Sequence, residues 1–163
     1  MGTVVVAVVS FLLMEPLTAL THRCIMHGVG QSLHRSHHRR VRPGESPSRW
    51  EANDWFPVMF AAIVLVGFAL GFNVAGFAML VPVGVGVTAY GAAYALVHDV
   101  YIHRRLPLFG DRRVPVLERL AAAHRVHHDR NGAPYGMLLP VVSVVPSSRP
   151  ANGSRPSHEP LEA

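Results

Sequence analysis

The chain has no lysine, one cysteine and few charged side chains, and each shortage excludes a class of protein. Charged residues make up 15% of its 163 residues, whereas soluble domains carry roughly 25%. The lone Cys24 excludes an intramolecular disulfide framework. Without a group of cysteines, a structural zinc site and an iron–sulfur cluster are not expected either. The length allows one domain, and half of its residues are hydrophobic, which favours a membrane environment.

The fifteen basic residues are all arginine, and they outweigh ten acidic residues to give a formal net charge of +5. Such a balance can indicate nucleic-acid binding. Here, however, aromatic side chains are not interleaved with the arginines, and the pattern matches no nucleic-acid-binding fold. The arginines instead flank apolar runs, which favours contact with anionic lipid headgroups. We therefore expect membrane lipids, and no nucleic acid, among the partners.

Three apolar runs predict membrane spans: Val4–Leu20, Phe56–Phe72 and Val74–Val97. A helix of about 20 apolar residues crosses a hydrocarbon core of about 30 Å. No basic residue precedes the first run, so it lacks the positive segment of a signal peptide and we expect it to stay as a span. A fourth run, Tyr135–Pro146, is too short to cross and holds two prolines. We expect it to be re-entrant, interfacial or packed on the bundle.

The arginines predict the orientation of the bundle. Six of them follow the first run and seven follow the third, whereas the turn at 71–76 carries no charge. The positive-inside rule then puts both arginine-rich segments in the cytoplasm and the N-terminus outside. We therefore predict an all-α integral membrane bundle of three to four membrane helices, with cytoplasmic histidine-bearing helices. Its domain would cover 1–142, and the polar segment 143–163 would be a disordered tail.

Ten of the eleven histidines fall into four tight groups. The pattern H-x4-H followed by H-x2-H-H occurs twice, and this topology brings all four groups to one face of the membrane. Neutral imidazole is the commonest metal side-chain ligand, and ten imidazoles exceed the roughly four to six that one ion takes. The sequence therefore predicts a site for two metal ions. The candidate ligands are His22, His27, His34, His37, His38, His98, His103, His124, His127 and His128.

The histidine spacing predicts how the groups lie on helices. In H-x2-H-H the histidines stand at i, i+3 and i+4, so each trio is expected to aim three imidazoles at one small volume. In H-x4-H the step from i to i+5 is about 140° on a regular helix. Such a pair either reaches two ions on opposite sides, or its helix loosens at the end. We expect two helices leaving the bilayer with H-x4-H, and two helices beyond them with H-x2-H-H.

Carboxylates near the histidines are further candidates for the site. Glu15 stands inside an apolar run, where an ionisable group indicates function. Asp99 follows His98 directly and is suited to accept a hydrogen bond from a ligand imidazole. The structural alternatives are that Glu15 pairs with an arginine and that Asp99 caps a helix or faces water. Imidazole suits zinc, copper, iron and nickel, so the residues alone leave the metal open.

A membrane metal-binding or transport protein is the alternative from another functional class. Histidine-rich tracts bind metal, but they are often loose repeats in loops, whereas the spacing here is helical. A transporter should also place polar side chains along its spans. The second and third runs offer little beyond Asn73, Thr88 and Tyr90. The pattern therefore favours an enzyme.

The four groups, with their neighbours, are similar to the histidine boxes of a known family. HRCIMHG, LHRSHH, HDVYIHRRL and AHRVHH resemble the boxes of the bacterial β-carotene 3-hydroxylases, within the membrane fatty acid hydroxylase and sterol desaturase superfamily. Glu51-Ala-Asn53-Asp54 resembles the segment that opens the second span in those enzymes. The resemblance runs from about Pro16 to about His128. All four boxes in order are highly specific, although any one box would be a weak signal.

The resemblance implies a membrane non-haem di-iron mono-oxygenase whose ten box histidines hold two iron ions. O2 would be the cosubstrate, and electrons would come from NAD(P)H through a ferredoxin-type donor. The substrate would be a lipid-soluble carotenoid, with β-carotene converted to zeaxanthin through cryptoxanthin. Asn53 and Asp54 join Glu15 and Asp99 as candidates that surround the ligands. The stretch 131–137 departs from the family pattern, which keeps a fatty acid or sterol hydroxylase or desaturase as the alternative.

His158 stands alone in the polar tail, so we predict that it is not a ligand. Replacing His158 by Ala is expected to leave O2-dependent product formation unchanged, because the ten box histidines suffice for two ions. The measurement is turnover of the variant beside that of the unaltered protein. A clear loss of activity would mean that the tail takes part in the site.

Overall fold

A computed structural model describes residues 1–39 and 50–140 of the chain. All regular secondary structure within these residues is helical, which confirms the predicted all-α class. Most of the linker Arg39–Arg49 and the whole predicted tail 143–163, with His158, lie outside the described residues. The elements in chain order are α1 (Gly2–Thr21), a π-helical segment (His22–Val29), α2 (Gln31–His34), a 3₁₀ turn (Ala52–Asp54), α3 (Trp55–Asn73), α4 (Leu80–Ala95), a second π-helical segment (Leu96–Ile102) and α5 (Pro115–Arg130).

Three helices of the described residues are long and apolar enough to cross a membrane. They cover Gly2–Val29, Ala52–Asn73 and Leu80–Ile102, with mean hydropathy of 2.1, 2.2 and 1.6. The predicted third span was wrong at its start, because 74–79 form a turn before α4 begins at Leu80. Gly76 takes φ +89° in this turn, a left-handed conformation that only glycine adopts at little cost.

Helix α4 packs between α1 and α3 through small residues. A Cβ atom added at Gly86 would lie 2.2 Å from the carbonyl oxygen of Ala7 on α1. On the other side, a Cβ at Gly84 would lie 2.9 Å from the ring of Phe68 on α3. Because glycine lets helix backbones approach closely, these contacts give membrane helices dispersion energy that apolar burial cannot supply in lipid.

The apolar side chains of the spans face outward. Leu12, Ile63 and Leu65 are each more than 60% exposed, as expected for surfaces that contact lipid tails. The buried core lies toward the end where α1 and α4 continue into π-helical turns. There, Val97, Tyr101 and Ala121 are buried, and so are six of the box histidines. The bundle is therefore most closely packed around its polar centre.

Replacing Gly86 by Ala should lower the stability of the bundle by about 1–3 kcal/mol, because the added methyl group forces α1 and α4 apart. Thermal unfolding in detergent micelles measures the effect. Gly91→Ala on the same helix is the matched control, since a Cβ there meets nothing within 4 Å. Equal midpoints for the two variants would contradict the close approach at Gly86.

Candidate metal centre

The two H-x4-H groups lie on the π-helical turns that continue α1 and α4. A π-helix pairs residue i with residue i+5, and the amide of His103 accordingly donates to the carbonyl of His98 at 2.9 Å. The imidazole centroids of His22 and His27 are 5.1 Å apart, and those of His98 and His103 are 4.6 Å apart. Of the two alternatives for this spacing, the loosened helix is therefore the one observed, and each pair faces one side.

The two H-x2-H-H groups lie on different structures. The later trio stands in the last turns of α5, as predicted. The expectation of a second such helix was wrong for the earlier trio, because α2 ends at His34 after one turn. His37 and His38 lie in the turn that follows, where the amide of His37 donates to the carbonyl of His34 at 3.0 Å. The chain direction already changes at Gly28, whose φ −104° and ψ −114° are not helical.

The ten box histidines gather into two adjacent clusters. Ligand atoms within each of two groups lie within 4.8 Å of one another. We call them the first cluster and the second cluster. His128 belongs with the second, since its Nε2 is 2.8 Å from that of His124 and 3.2 Å from that of His37. The first cluster holds His22, His27, His34, His38 and His127, and the second holds His37, His98, His103, His124 and His128.

Each trio divides between the clusters, so the expectation that a trio aims its three imidazoles at one small volume was wrong. His34 and His38 join the first cluster while His37 joins the second. On α5 the division is reversed, with His127 in the first cluster and His124 beside His128 in the second. On α5 the physical reason is helical geometry. Residues at i and i+4 are only about 40° apart, whereas residues at i+3 and i+4 are about 100° apart and face different points.

Acceptors outside the first cluster orient its imidazoles. The Nδ1 atom of His22 donates to the carbonyl of Tyr135 at 3.1 Å, and that of His127 donates to the carbonyl of Gly132 at 2.6 Å. The Nδ1 atom of His34 lies 2.7 Å from Oδ1 of Asn53, which sequence reasoning had selected. A carbonyl can only accept, so the proton lies on Nδ1 and the Nε2 lone pair faces the cluster, as a metal ligand requires.

Carboxylates take the corresponding place around the second cluster. Oδ1 of Asp99, a predicted candidate, is 3.3 Å from Nδ1 of His98. Oε2 of Glu51 is 3.5 Å from Nδ1 of His37, which is longer than a normal hydrogen bond. Glu51 was part of the recognised motif but was not selected from the sequence as a site residue. Its position two residues before Asn53 was the available signal.

Arg105 joins these carboxylates. Its guanidinium donates to both carboxylate oxygens of Asp54, at 2.7 and 3.2 Å, and lies 3.4 Å from Glu51 and 3.5 Å from Asp99. The predicted candidate Asp54 therefore bonds to Arg105. Within the part of the chain that the structure describes, it bonds to no box histidine. Sequence reasoning missed Arg105, because an arginine after a span is ordinarily explained by topology.

Glu15, the remaining candidate, bonds to a tyrosine and to backbone amides rather than to an imidazole. Its carboxylate accepts hydrogen bonds from the Tyr90 hydroxyl at 2.6 Å and from the backbone amides of Met137, Leu138 and Leu139 at 2.9 to 3.2 Å. The alternative of an arginine partner is not seen within residues 1–39 and 50–140. The expected packing of Tyr135–Pro146 on the bundle is observed for the part that the structure describes.

The electrostatics of the clusters suit neutral imidazoles. Burial, with repulsion from neighbouring imidazoles, lowers the pKa of His38 to about 4 and that of His103 to about 3. The pKa values of His37 and His124 fall further for the same reasons. Nε2 atoms lie 3.0 Å apart in the pairs His22–His34 and His103–His124. Converging neutral nitrogen donors form a set that fits borderline divalent metals, including iron and zinc.

The division of the trios is testable by counting metal ions. If each cluster holds one ion, His34→Ala and His37→Ala should each reduce the content from two ions per chain to one, and the double variant should lose both. Elemental analysis of the protein purified in detergent measures this. Cys24→Ser, at an exposed position between His22 and His27, should keep both ions. A double variant that retains one ion would support one ion per trio.

Curated proteins similar to this chain are named β-carotene hydroxylases. The Beta-carotene hydroxylase of Pseudescherichia vulneris is 42% identical over 78% of this chain and 68% of its own length. That of Pantoea ananas is 42% identical over 73% of this chain and 64% of its own. The chloroplastic Beta-carotene 3-hydroxylase of an Oncidium hybrid cultivar is 41% identical over 85% of this chain but only 45% of its own.

The chain thus spans about two thirds of the bacterial relatives and less than half of the plant one. No solved structure matches it significantly. The family model described as Fatty acid hydroxylase matches residues 7–145, which include both clusters, most of the first candidate span and the whole of the other two. The chain therefore belongs to the fatty acid hydroxylase family, a family of oxidoreductases.

Proposed function

We propose that this chain is a membrane non-haem di-iron mono-oxygenase that hydroxylates the β-ionone rings of carotenoids. It would convert β-carotene to zeaxanthin by way of cryptoxanthin, with 1–142 as the catalytic domain and 143–163 as its tail. The observation that carries the proposal is the pair of adjacent all-imidazole clusters at one end of a membrane bundle. The names of its curated relatives support carotenoids as the substrate class.

The ten box histidines would hold the metal. When bound, two iron ions supply the reduction of O2 that puts one oxygen atom into a C–H bond and releases the other as water. The chain's own residues keep the imidazoles neutral and orient them. Around the first cluster the orienting acceptors are uncharged, namely two backbone carbonyls and Asn53. Around the second, the carboxylate of Asp99 accepts from His98, that of Glu51 lies 3.5 Å from His37, and Arg105 joins the two carboxylates.

The position of the clusters suits a substrate that is dissolved in lipid. A carotenoid is long and apolar, so it reaches the enzyme within the bilayer. The exposed apolar faces of α1 and α3 would meet the lipid tails there. The clusters lie where α1 and α4 pass out of their apolar stretches, so a ring end can reach them while the rest of the molecule stays in lipid. The arginines beside the boxes favour the cytoplasmic side for this end.

A soluble, acidic electron donor of the ferredoxin type would deliver the two electrons of each turnover. An open cavity of about 480 Å³ lies beside the second cluster. Three of its lining residues, Arg104, Arg113 and Arg125, are basic, and two of them directly neighbour the ligands His103 and His124. A basic surface steers an acidic partner and raises its rate of association.

Expression in a bacterium that accumulates β-carotene tests the reaction and the substrate together. We expect zeaxanthin or cryptoxanthin to appear by chromatography of the pigments. His37→Ala and His127→Ala, which each remove one ligand from a different cluster, should abolish the product. Both variants should still insert, because the apolar spans are unchanged.

The outcomes separate the candidate functions. Full turnover in either histidine variant would contradict the di-iron assignment. Unchanged β-carotene, with inserted and iron-loaded protein, would move the substrate to fatty acyl chains, which the name of the matching family model favours, or to sterols. Metal flux across vesicles without any oxygenated product would instead support a transport protein.

A further inference from the structure

The segment Gly132–Leu139 covers the first cluster. The ring centroid of Tyr135 lies 5.6 Å from that of His22, 5.3 Å from that of His27 and 5.6 Å from that of His127. The same segment supplies both backbone carbonyls that accept from ligand imidazoles, one at Gly132 and one at Tyr135. Its position therefore determines the orientation of His22 and His127.

The segment is irregular backbone beside a membrane helix, so its amides need partners. Glu15, on α1 about two helical turns before His22, provides them. Its Oε1 accepts from the amides of Met137 and Leu139 at 2.9 Å, and the amide of Leu138 lies 3.2 and 3.1 Å from its two oxygens. A buried carboxylate is costly unless it is hydrogen-bonded, and three amides with a tyrosine hydroxyl compensate this one.

The fit between this carboxylate and the segment is close. A Cβ atom added at Gly136 would lie 2.7 Å from Oε1 of Glu15, so the backbone approaches as nearly as it can. Met137, the residue after Gly136, is only 2% exposed, so its side chain is held in place by packing as well. The segment thus has one well-defined position, and Glu15 is the group that holds it.

We propose that Glu15 is a positioning residue for the first cluster: from within the first span it anchors Gly132–Leu139 and so fixes the acceptors of His22 and His127. The inference rests on the proposed metal-dependent function. Glu15 reaches the first cluster through the segment, and its remaining hydrogen bond is accepted from the Tyr90 hydroxyl. Its loss should therefore weaken the ion of the first cluster and leave that of the second unchanged.

Cobalt(II) titration of the detergent-solubilised chain tests this, because its visible absorption reports each ion without turnover. His37→Ala leaves only the first cluster intact, and His34→Ala leaves only the second. In the His37→Ala background, Glu15→Gln should weaken cobalt binding roughly 10–100-fold, as loss of a ligand's orienting partner does. In the His34→Ala background it should change nothing.

Matched variants separate positioning from general damage. Glu118→Gln alters another carboxylate that accepts from a tyrosine, Tyr101, at 2.6 Å, and it should spare the first cluster. Gly136→Ala keeps every carboxylate but crowds Glu15, and it should reproduce the selective loss.

The failures are distinct. Unchanged cobalt affinity and spectrum in Glu15→Gln with His37→Ala, or equal weakening of both clusters, would overturn the anchor. An unaltered chain that binds no cobalt would instead overturn the metal-dependent function on which the anchor rests.

Discussion

Ten uncharged imidazoles converge at one end of a bundle that contains few other polar groups. The rest of the architecture depends on this convergence. Burial favours the neutral form of imidazoles such as His37 and His124, but it removes water as a partner for their Nδ1 protons. Each such proton then needs an acceptor from the chain. Carbonyls, an amide and a carboxylate accept from the Nδ1 atoms of four of the imidazoles, and two of these acceptors, Tyr135 and Asn53, lie on other segments of the chain. The site therefore holds together elements that have little other contact.

The groups that orient the imidazoles differ between the clusters, and this difference affects the basicity of the ligands. Imidazoles that donate to uncharged oxygens remain ordinary ligands, whereas a carboxylate acceptor raises the basicity of the ligand. Arg105 moderates this by sharing its charge among Glu51, Asp54 and Asp99. Two ions bound here would have the same kind of ligands but different surroundings. The asymmetry originates in the Glu51–Asp54 motif and the third box, and not in the histidines themselves.

Much of the fold was predictable because apolar length and histidine grouping are local signals. The three spans were predicted from the lengths of the apolar runs, and the two sets of ligands from the number of grouped histidines. The division of the trios was not predicted, because it depends on which imidazoles of the distant boxes each histidine meets in the fold, as His37 meets His98 and His128. Glu15 illustrates the same limit. Its position within an apolar run made it a candidate, but its partners at 137–139 are more than a hundred residues away in sequence. Arg105 was hidden among arginines that topology already explained.

The π-helical turns make the length of a histidine box depend on the kind of helix that carries it. A π turn is an α turn with one residue added, so His22 and His27 face one side despite their five-residue step. A chain with one residue fewer between the two histidines could present them in the same way from a regular α-helix. Deleting one residue from the box and converting the π turn to an α turn would then leave the direction of the two histidines unchanged. H-x3-H on an α-helix and H-x4-H on a π turn therefore place their two histidines alike. A sequence alignment that penalises the one-residue gap between them would separate sites that have the same geometry.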